Sequence, residues 1–219
     1  QGKLQAVIHK TLLPTYDVFD EDRYFERSEK VTLVPFRGRL LGISICEDAW
    51  NPEDLGERQL YPLNPIRSQV EKGADLLINI SASPFELEKP KYRFDLLQGH
   101  VRRHKVPLVY VNLVGGNDDL LFDGNSIALG RHGNVIARGK SFAEDLLLVD
   151  TDSDDDLGYH EQESLETLRE ALVMGTRDYA RKCGFTSAVL GLSGGIDSAV
   201  VACIAAEAFG PQNVLGVSM

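Results

Sequence analysis

Two short stretches carry the side chains able to do chemistry. In "SICEDAW" (44–50) an apolar run delivers Cys46, and polarity then changes abruptly to Glu47 and Asp48. In "GLSGGIDSAVV" (191–201) a loop with two glycines, two serines and one aspartate, "SGGIDS", sits between an apolar run and a stretch of helical character. A free thiol with a pKa near ~8.5 becomes a nucleophile when a neighbouring cation favours the thiolate. Lys10, directly after the apolar run "LQAVIH", is the candidate cation. Taken singly, such a lysine suits a protein surface equally well, and a lone cysteine at a strand end suits a packed interior. The combination is what points to catalysis.

The second stretch reads as a strand running into a loop and a helix running out. A helix N-terminus exposes unpaired N–H groups and the positive end of its dipole. Gly194 and Gly195 let the backbone turn tightly and approach a ligand without a Cβ in the way. Ser193 and Ser198 add hydroxyls, so that Ser193, Gly194, Gly195, Ile196, Asp197 and Ser198 form a seat for phosphate or pyrophosphate. The loop has neither the Gly-Lys-Ser/Thr ending of a Walker A motif nor the G-x-G-x-x-G of a dinucleotide site. Asp197 beside bound phosphates would repel them unless a cation lay between. Its expected role is to help hold Mg²⁺, or to cap the helix.

These residues need elements to position them. Runs rich in Val, Ile and Leu at 4–9, 31–36, 40–46, 75–81 and 107–114 read as strands. Residues 64–73 and 90–105 read as helices between the last three. "NSIALG", "NVIARG" and "DLLLVD" read as shorter strands separated by turns. Residues 150–164, "DTDSDDDLGYHEQES", are acidic and poor in apolar side chains, and are expected to be a solvated linker. Beyond them, 164–184 reads as an amphipathic helix, 186–193 as a strand, 197–210 as a helix and 213–219 as a strand, a βαβ unit of the parallel type.

Composition narrows the function. The formal net charge of −10 argues against a nucleic acid or an anionic membrane surface as partner. The three cysteines, Cys46, Cys183 and Cys203, match neither a metal signature nor an even disulfide framework, and the five histidines are scattered. The reading is a reduced, cytoplasmic chain. No apolar run is long enough to span a membrane. The chain opens on "QGKLQAVIHK", without Met, and is expected to be a segment of a longer protein.

The pattern "VIHKTLLPTYDVFDEDRYF" followed by "GISICEDAW" resembles the nitrilase, or carbon–nitrogen hydrolase, superfamily. "NISASPF", "VYVNLVGG" and "FDGNSIAL" resemble later segments of that family. The resemblance implies a Glu-Lys-Cys site, with Lys10 as its lysine, Cys46 as its nucleophile and Glu21 as a second glutamate. It also implies that the family's general-base glutamate lies upstream of the lysine strand, where only nine residues precede Lys10 and none is acidic. "LSGGIDSAVV" resembles the PP-loop of ATP pyrophosphatases, which cleave ATP between the α and β phosphates and adenylate a substrate.

Together the two halves resemble the glutamine-dependent NAD⁺ synthetase family. The implied fold class is α/β: a nitrilase-like α-β-β-α sandwich followed by the start of a doubly wound parallel-sheet PP-loop domain. The boundaries expected are 1–150 for the glutaminase domain, 151–163 for an acidic linker and 164–219 for the synthetase domain. The first is expected to lack its N-terminus and the last its C-terminus. The implied ligands are L-glutamine, deamido-NAD⁺, ATP and Mg²⁺. The backbone N–H of Glu47 would join Lys10 in an oxyanion hole, and Tyr16, Ser81 and Arg93 would contact glutamine. A homo-oligomer is implied for the full-length protein. Two other readings stay open: an amidase joined to a different PP-loop ligase, and a non-catalytic or incomplete piece that binds only nucleotide or a partner subunit.

Overall fold

The sheet that carries Cys46 is six strands wide. The computed structural model describes residues 2–16, 18–51 and 61–219. A hairpin of β1 (Leu33–Phe36) and β2 (Arg39–Ile45) opens the sheet. Strands β3 (Leu76–Ser81) and β4 (Leu108–Asn112) continue it in parallel, and β7 (Ile127–Leu129) and β8 (Val135–Arg138) close it antiparallel, in the order β1-β2-β3-β4-β7-β8. A parallel pair needs a crossover. Helix α2 (Pro65–Glu71) links β2 to β3, and α3 (Lys89–His104) links β3 to β4. A short helix, α1 (Glu21–Tyr24), precedes the sheet.

Helix α2 starts where the sequence supplies both usual signals. The side chain of Asn64 accepts from the Arg67 amide at 3.0 Å, and Pro65 occupies the first helical position. On the helix-facing side of the sheet, in-register residues form rows. Gly42, Leu77 and Leu108 make an apolar row, and Ser44, Asn79 and Tyr110 a polar one beyond it. Ile66, Leu77, Leu97, Val101, Leu108 and Leu129 fill the main core. Polarity therefore rises toward the C-terminal ends of β2, β3 and β4, where α/β proteins bind ligands.

A two-stranded hairpin, β5 (Val114–Asn117) with β6 (Leu120–Asp123), stands apart from the main sheet. Helix α4 (Ser164–Lys182) packs on it, and Phe142, Ala171 and Met174 form a second core with Phe85, Val114 and Leu121. Strand β9 (Ala188–Leu192), helix α5 (Ile196–Phe209) and strand β10 (Val214–Ser218) then form the expected βαβ unit, with β9 and β10 parallel. Among the described residues no helix is long and apolar enough to cross a membrane.

Three expectations are corrected. The apolar run at 4–9 forms no strand, because these residues have no ladder partner among the described residues. "DLLLVD" (145–150) is likewise irregular, with Leu146 and Leu148 exposed. The acidic segment after it is fastened rather than freely solvated. Asp152 pairs with Arg39 at 3.2 Å and Arg131 at 3.4 Å, Asp156 accepts from the Val135 amide at 3.0 Å, and the Leu157 amide donates to the Val135 carbonyl at 2.8 Å. Tyr159 stacks on Phe94 with ring centroids 3.9 Å apart. The segment thus covers the edge strand β8, whose unpaired backbone groups need partners.

Gly42 sets the height at which α2 sits on β2. A Cβ there would stand 2.8 Å from Gln69 Oε1 and 2.9 Å from Leu77 Cδ2. Gly42→Val should therefore lower stability by about 1–3 kcal/mol through overpacking. The check is a urea titration, with a reduced midpoint and an unchanged slope expected.

Candidate active site

Cys46 stands at the end of β2, where the chain leaves the sheet in a single 3₁₀ turn, Cys46–Ala49. Its φ of 45° is in the left-handed region, which an L-residue adopts only when its surroundings hold it there. Four contacts do so. The Asp48 side chain accepts from the Ile45 amide at 3.0 Å. Asn79 donates to the Cys46 carbonyl at 3.3 Å and to Ser44 Oγ at 2.9 Å, while accepting from Ser81 Oγ at 2.7 Å. The Trp50 amide closes the turn on the Glu47 carbonyl at 2.8 Å. His100 Nε2 then donates to the Ala49 carbonyl at 2.8 Å from α3.

Lys10 and Cys46 line one cavity of about 430 Å³, together with Phe19, Glu21, Phe25 and Ala82. Lys10 Nζ is 2.5 Å from Glu21 Oε2, and its side chain is only 14% exposed. The structure thus joins the three residues Lys10, Glu21 and Cys46. Glu21 lies at the start of α1, eleven residues after the lysine, and reaches back to it.

Burial pushes the Cys46 thiol above its ordinary value. The Lys10 ammonium pulls it back, helped by hydrogen bonds from the Ala82 backbone and the Ser81 side chain, while Glu47 opposes them. Glu47 and Asp48 are also raised, chiefly by burial. Three neighbouring ionisable groups therefore depend on a few compensating contacts. Glu47 is almost fully buried, and its carboxylate accepts from Tyr16 at 2.9 Å and Tyr61 at 2.7 Å. Burial, followed by the charge of Glu47 and the hydrogen bonds to it, raises both phenols.

The expected glutamine contacts separate. Tyr16 is about half exposed, with its hydroxyl on Glu47. Ser81 supports the thiol and Asn79 as described above. Arg93 is not brought to this cavity. It is 3% exposed and spends its guanidinium on Asp123, with contacts of 3.1 and 2.5 Å, while sitting 5.4 Å over the Tyr110 ring. A guanidinium buried there without Asp123 would be very costly, so its place in the fold is structural. Phe85 packs edge-on against Phe142 in the second core, and Trp50 stacks on Tyr92. His100, one of the scattered histidines, is fully buried and reaches the turn that follows Cys46.

At the second stretch, Gly194 has φ of 80° and Gly195 caps α5. Ser193 Oγ lies 3.3 Å from Ser198 Oγ, which also donates to the Gly195 carbonyl at 2.9 Å. Asp197 occupies the first turn of α5. No Cβ at Gly194 would meet an atom within 4 Å, so the concave side of the loop is open. Among the described residues no group of three or more His, Cys, Asp or Glu could hold a metal ion, so a cation here would have Asp197 and the phosphates of its own ligand. That suits Mg²⁺, which is commonly held by one or two carboxylates together with substrate phosphates.

A strand-end thiol and a Lys–Glu pair thus line one cavity on an α/β sheet. The chain belongs to the carbon–nitrogen hydrolase family, which residues 1–155 match. Residues 168–219 match the NAD synthase family. Glutamine-dependent NAD(+) synthetases from Synechocystis sp. and Aquifex aeolicus are 47% and 36% identical to it across its whole length. The chain spans 40% and 43% of those two relatives. The solved structure of glutamine-dependent NAD+ synthetase from Acinetobacter baumannii, in complex with ADP, is 34% identical and superposes with a TM-score of 0.85 over 99% of this chain and 40% of its own.

Two variants separate the roles assigned here. Lys10→Met removes the cation that favours the thiolate, so alkylation of Cys46 by iodoacetamide should slow at neutral pH and its pH midpoint should move up. Arg93→Met should act on the fold, costing about 3–5 kcal/mol by stranding Asp123. A denaturation curve checks the second variant, and an unchanged midpoint would contradict it.

Proposed function

We propose that this chain carries the glutaminase site and the opening of the ATP site of a glutamine-dependent NAD⁺ synthetase. The carrying observation is the cavity shared by Cys46, Lys10 and Glu21, on a chain similar throughout its length to enzymes of that name. The Cys46 thiolate attacks the carboxamide carbon of L-glutamine. The tetrahedral oxyanion is met by the Lys10 ammonium and the Glu47 backbone N–H. Glu21 orients Lys10 through their ion pair. The C–N bond then breaks, ammonia leaves with the transferred proton, and water releases glutamate from the thioester.

Among the described residues three carboxylates near Cys46 are already committed, while Glu26 also lines the cavity. Glu21 is held by Lys10, Glu47 by two tyrosines and Asp48 by three amides. The proton carrier of the proposal is the upstream glutamate that the resemblance implies. Tyr16, with its partner Glu47 at the turn, and Ser81 remain the proposed contacts or supports for glutamine.

In the second half, the carboxylate of deamido-NAD⁺ attacks the α-phosphorus of ATP and pyrophosphate leaves. Ammonia then displaces AMP to give NAD⁺. Ser193, Gly194, Gly195, Ile196, Asp197 and Ser198 would seat the pyrophosphate moiety on the N–H groups of α5, by positioning and charge stabilisation. Asp197 would hold Mg²⁺ to the phosphates. The proposed domain boundaries are 1–150, 151–163 and 164–219. The reading carries with it a cytoplasmic location, supported by three unpaired thiols, and a homo-oligomeric full-length protein.

The test is Cys46→Ala in the full-length protein. Glutamine-driven NAD⁺ formation should fall by at least ~10³-fold while ammonia-driven formation persists, since only the nucleophile is removed. Retention of the glutamine-driven rate would overturn the proposal.

A further inference from the structure

We infer that Asp48 is the positioning residue that holds Lys10 at the thiol of Cys46. The inference rests on the hydrolytic reading above. Asp48 is only 2% exposed. Its Oδ2 accepts from the Ile45 amide at 3.0 Å, next to the nucleophile. Its Oδ1 accepts from the Thr11 amide at 2.9 Å and the Leu12 amide at 2.8 Å, directly after Lys10. One carboxylate thus ties the Ile45 amide to amides 36 and 37 residues before Asp48, joining the segment that bears Cys46 to the one that bears Lys10.

The direction of these bonds decides between two roles. A carboxylate that merely capped the 3₁₀ turn would need only the Ile45 amide. Two of the three bonds go instead to the lysine segment, which has no β-ladder to fix it among the described residues. A further backbone tie nearby is the Ser28 amide, which donates to the Lys10 carbonyl at 2.9 Å. Charge-assisted bonds from amides to a carboxylate are roughly twice as strong as neutral ones. A carboxylate buried without them would be costly. The arrangement sets where the ammonium stands relative to the sulfur, and a displacement of about 1 Å from such a position can cost ~10²-fold in rate.

The experiment is Asp48→Asn in the full-length protein. Asparagine keeps the shape but can present an acceptor oxygen to only one side, so either the Ile45 amide or the Thr11 and Leu12 amides lose their partner. Glutamine hydrolysis should lose about 10²-fold in kcat, with KM changing by less than about threefold. Ammonia-driven NAD⁺ formation and the far-UV circular dichroism should be unchanged, which checks the fold.

The pH profile of Cys46 alkylation gives a sign that distinguishes causes. The charged groups bearing on the thiol are Lys10 and Glu47, with Asp48 two residues on, Glu21, Glu26 and His9 in the same cavity lining, and the phenols of Tyr16, Tyr61 and Tyr110 beyond. Loss of Lys10's position should move the profile to higher pH. Removal of a negative charge with Lys10 still in place would move it to lower pH. A shift to lower pH, or a wild-type kcat in the folded variant, overturns the inference.

Should Asp48→Asn fail to fold, residue-resolved amide exchange on the unaltered protein decides. The Thr11 and Leu12 amides should be strongly protected despite lying outside any strand, and exchange at open-loop rates overturns the inference. Its failure is distinct from failure of the hydrolytic reading. If Cys46→Ala abolishes glutamine use while Asp48→Asn is wild-type, only the positioning role is lost.

Discussion

Three consecutive ionisable side chains leave water together at the end of β2, and the active-site half depends on how that cost is met. Cys46, Glu47 and Asp48 are each pushed toward their neutral forms by burial. Each has a different remedy. Two phenols donate to Glu47, three backbone amides donate to Asp48, and the thiol has the Lys10 ammonium with donors from Ser81 and Ala82. Since no two residues use the same set of donors, the turn has one arrangement that satisfies all three. That is a physical source of the left-handed backbone at Cys46, which would relax if any of these partners were free to move.

The sheet supplies what the turn cannot. Parallel strands end at one level, so Cys46 just past β2, Ser81 on β3 and Asn112 on β4 arrive close together. The helix-facing rows change from apolar to polar just before that level. Leu77 and Leu108 fasten the sheet to α2 and α3, whereas Ser44, Asn79 and Tyr110 offer hydrogen-bonding groups. Asn79 illustrates the coupling. Its amide group grips the nucleophile's carbonyl at one end and Ser81 at the other, so one buried side chain ties the backbone of the nucleophile to a donor for its sulfur.

Much of this was legible in the sequence, for reasons that particular residues make clear. The sequence singled out Cys46 and Lys10 as side chains with chemistry beside apolar runs and Glu21 through the family resemblance, and the structure gathers the three around one cavity. Residues whose work is done on backbone groups were not found. Asp48 binds three amides, and His100 binds a carbonyl 51 residues away, so no spacing in the sequence marks them. Arg93 was misread because its partner Asp123 lies 30 residues on, and an arginine with a buried partner looks in sequence like one awaiting a ligand. The apolar run at 4–9 misled for a similar reason. Alternation of side chains encodes a strand only when a neighbour supplies the ladder.

The junction between the two halves follows packing rather than composition. The acidic residues after 150 look like a boundary, yet they are fastened along β8, and the chain's next helix returns to the hydrolase half. Helix α4 closes on the β5–β6 hairpin through its smallest residue: a Cβ at Gly175 would stand 2.9 Å from Leu121 Cδ2. Gly116 then gives both of its peptide groups to α4. Its amide donates to Asp178 at 2.9 Å, and its carbonyl accepts from Lys182 at 2.6 Å. A hairpin edge satisfied in this way cannot slide along the helix without stranding a donor and an acceptor together. The helix where the match to the NAD synthase family begins is therefore fixed in register on the half that holds the thiol. Any movement between the two has to occur beyond α4, or else break this contact as a unit.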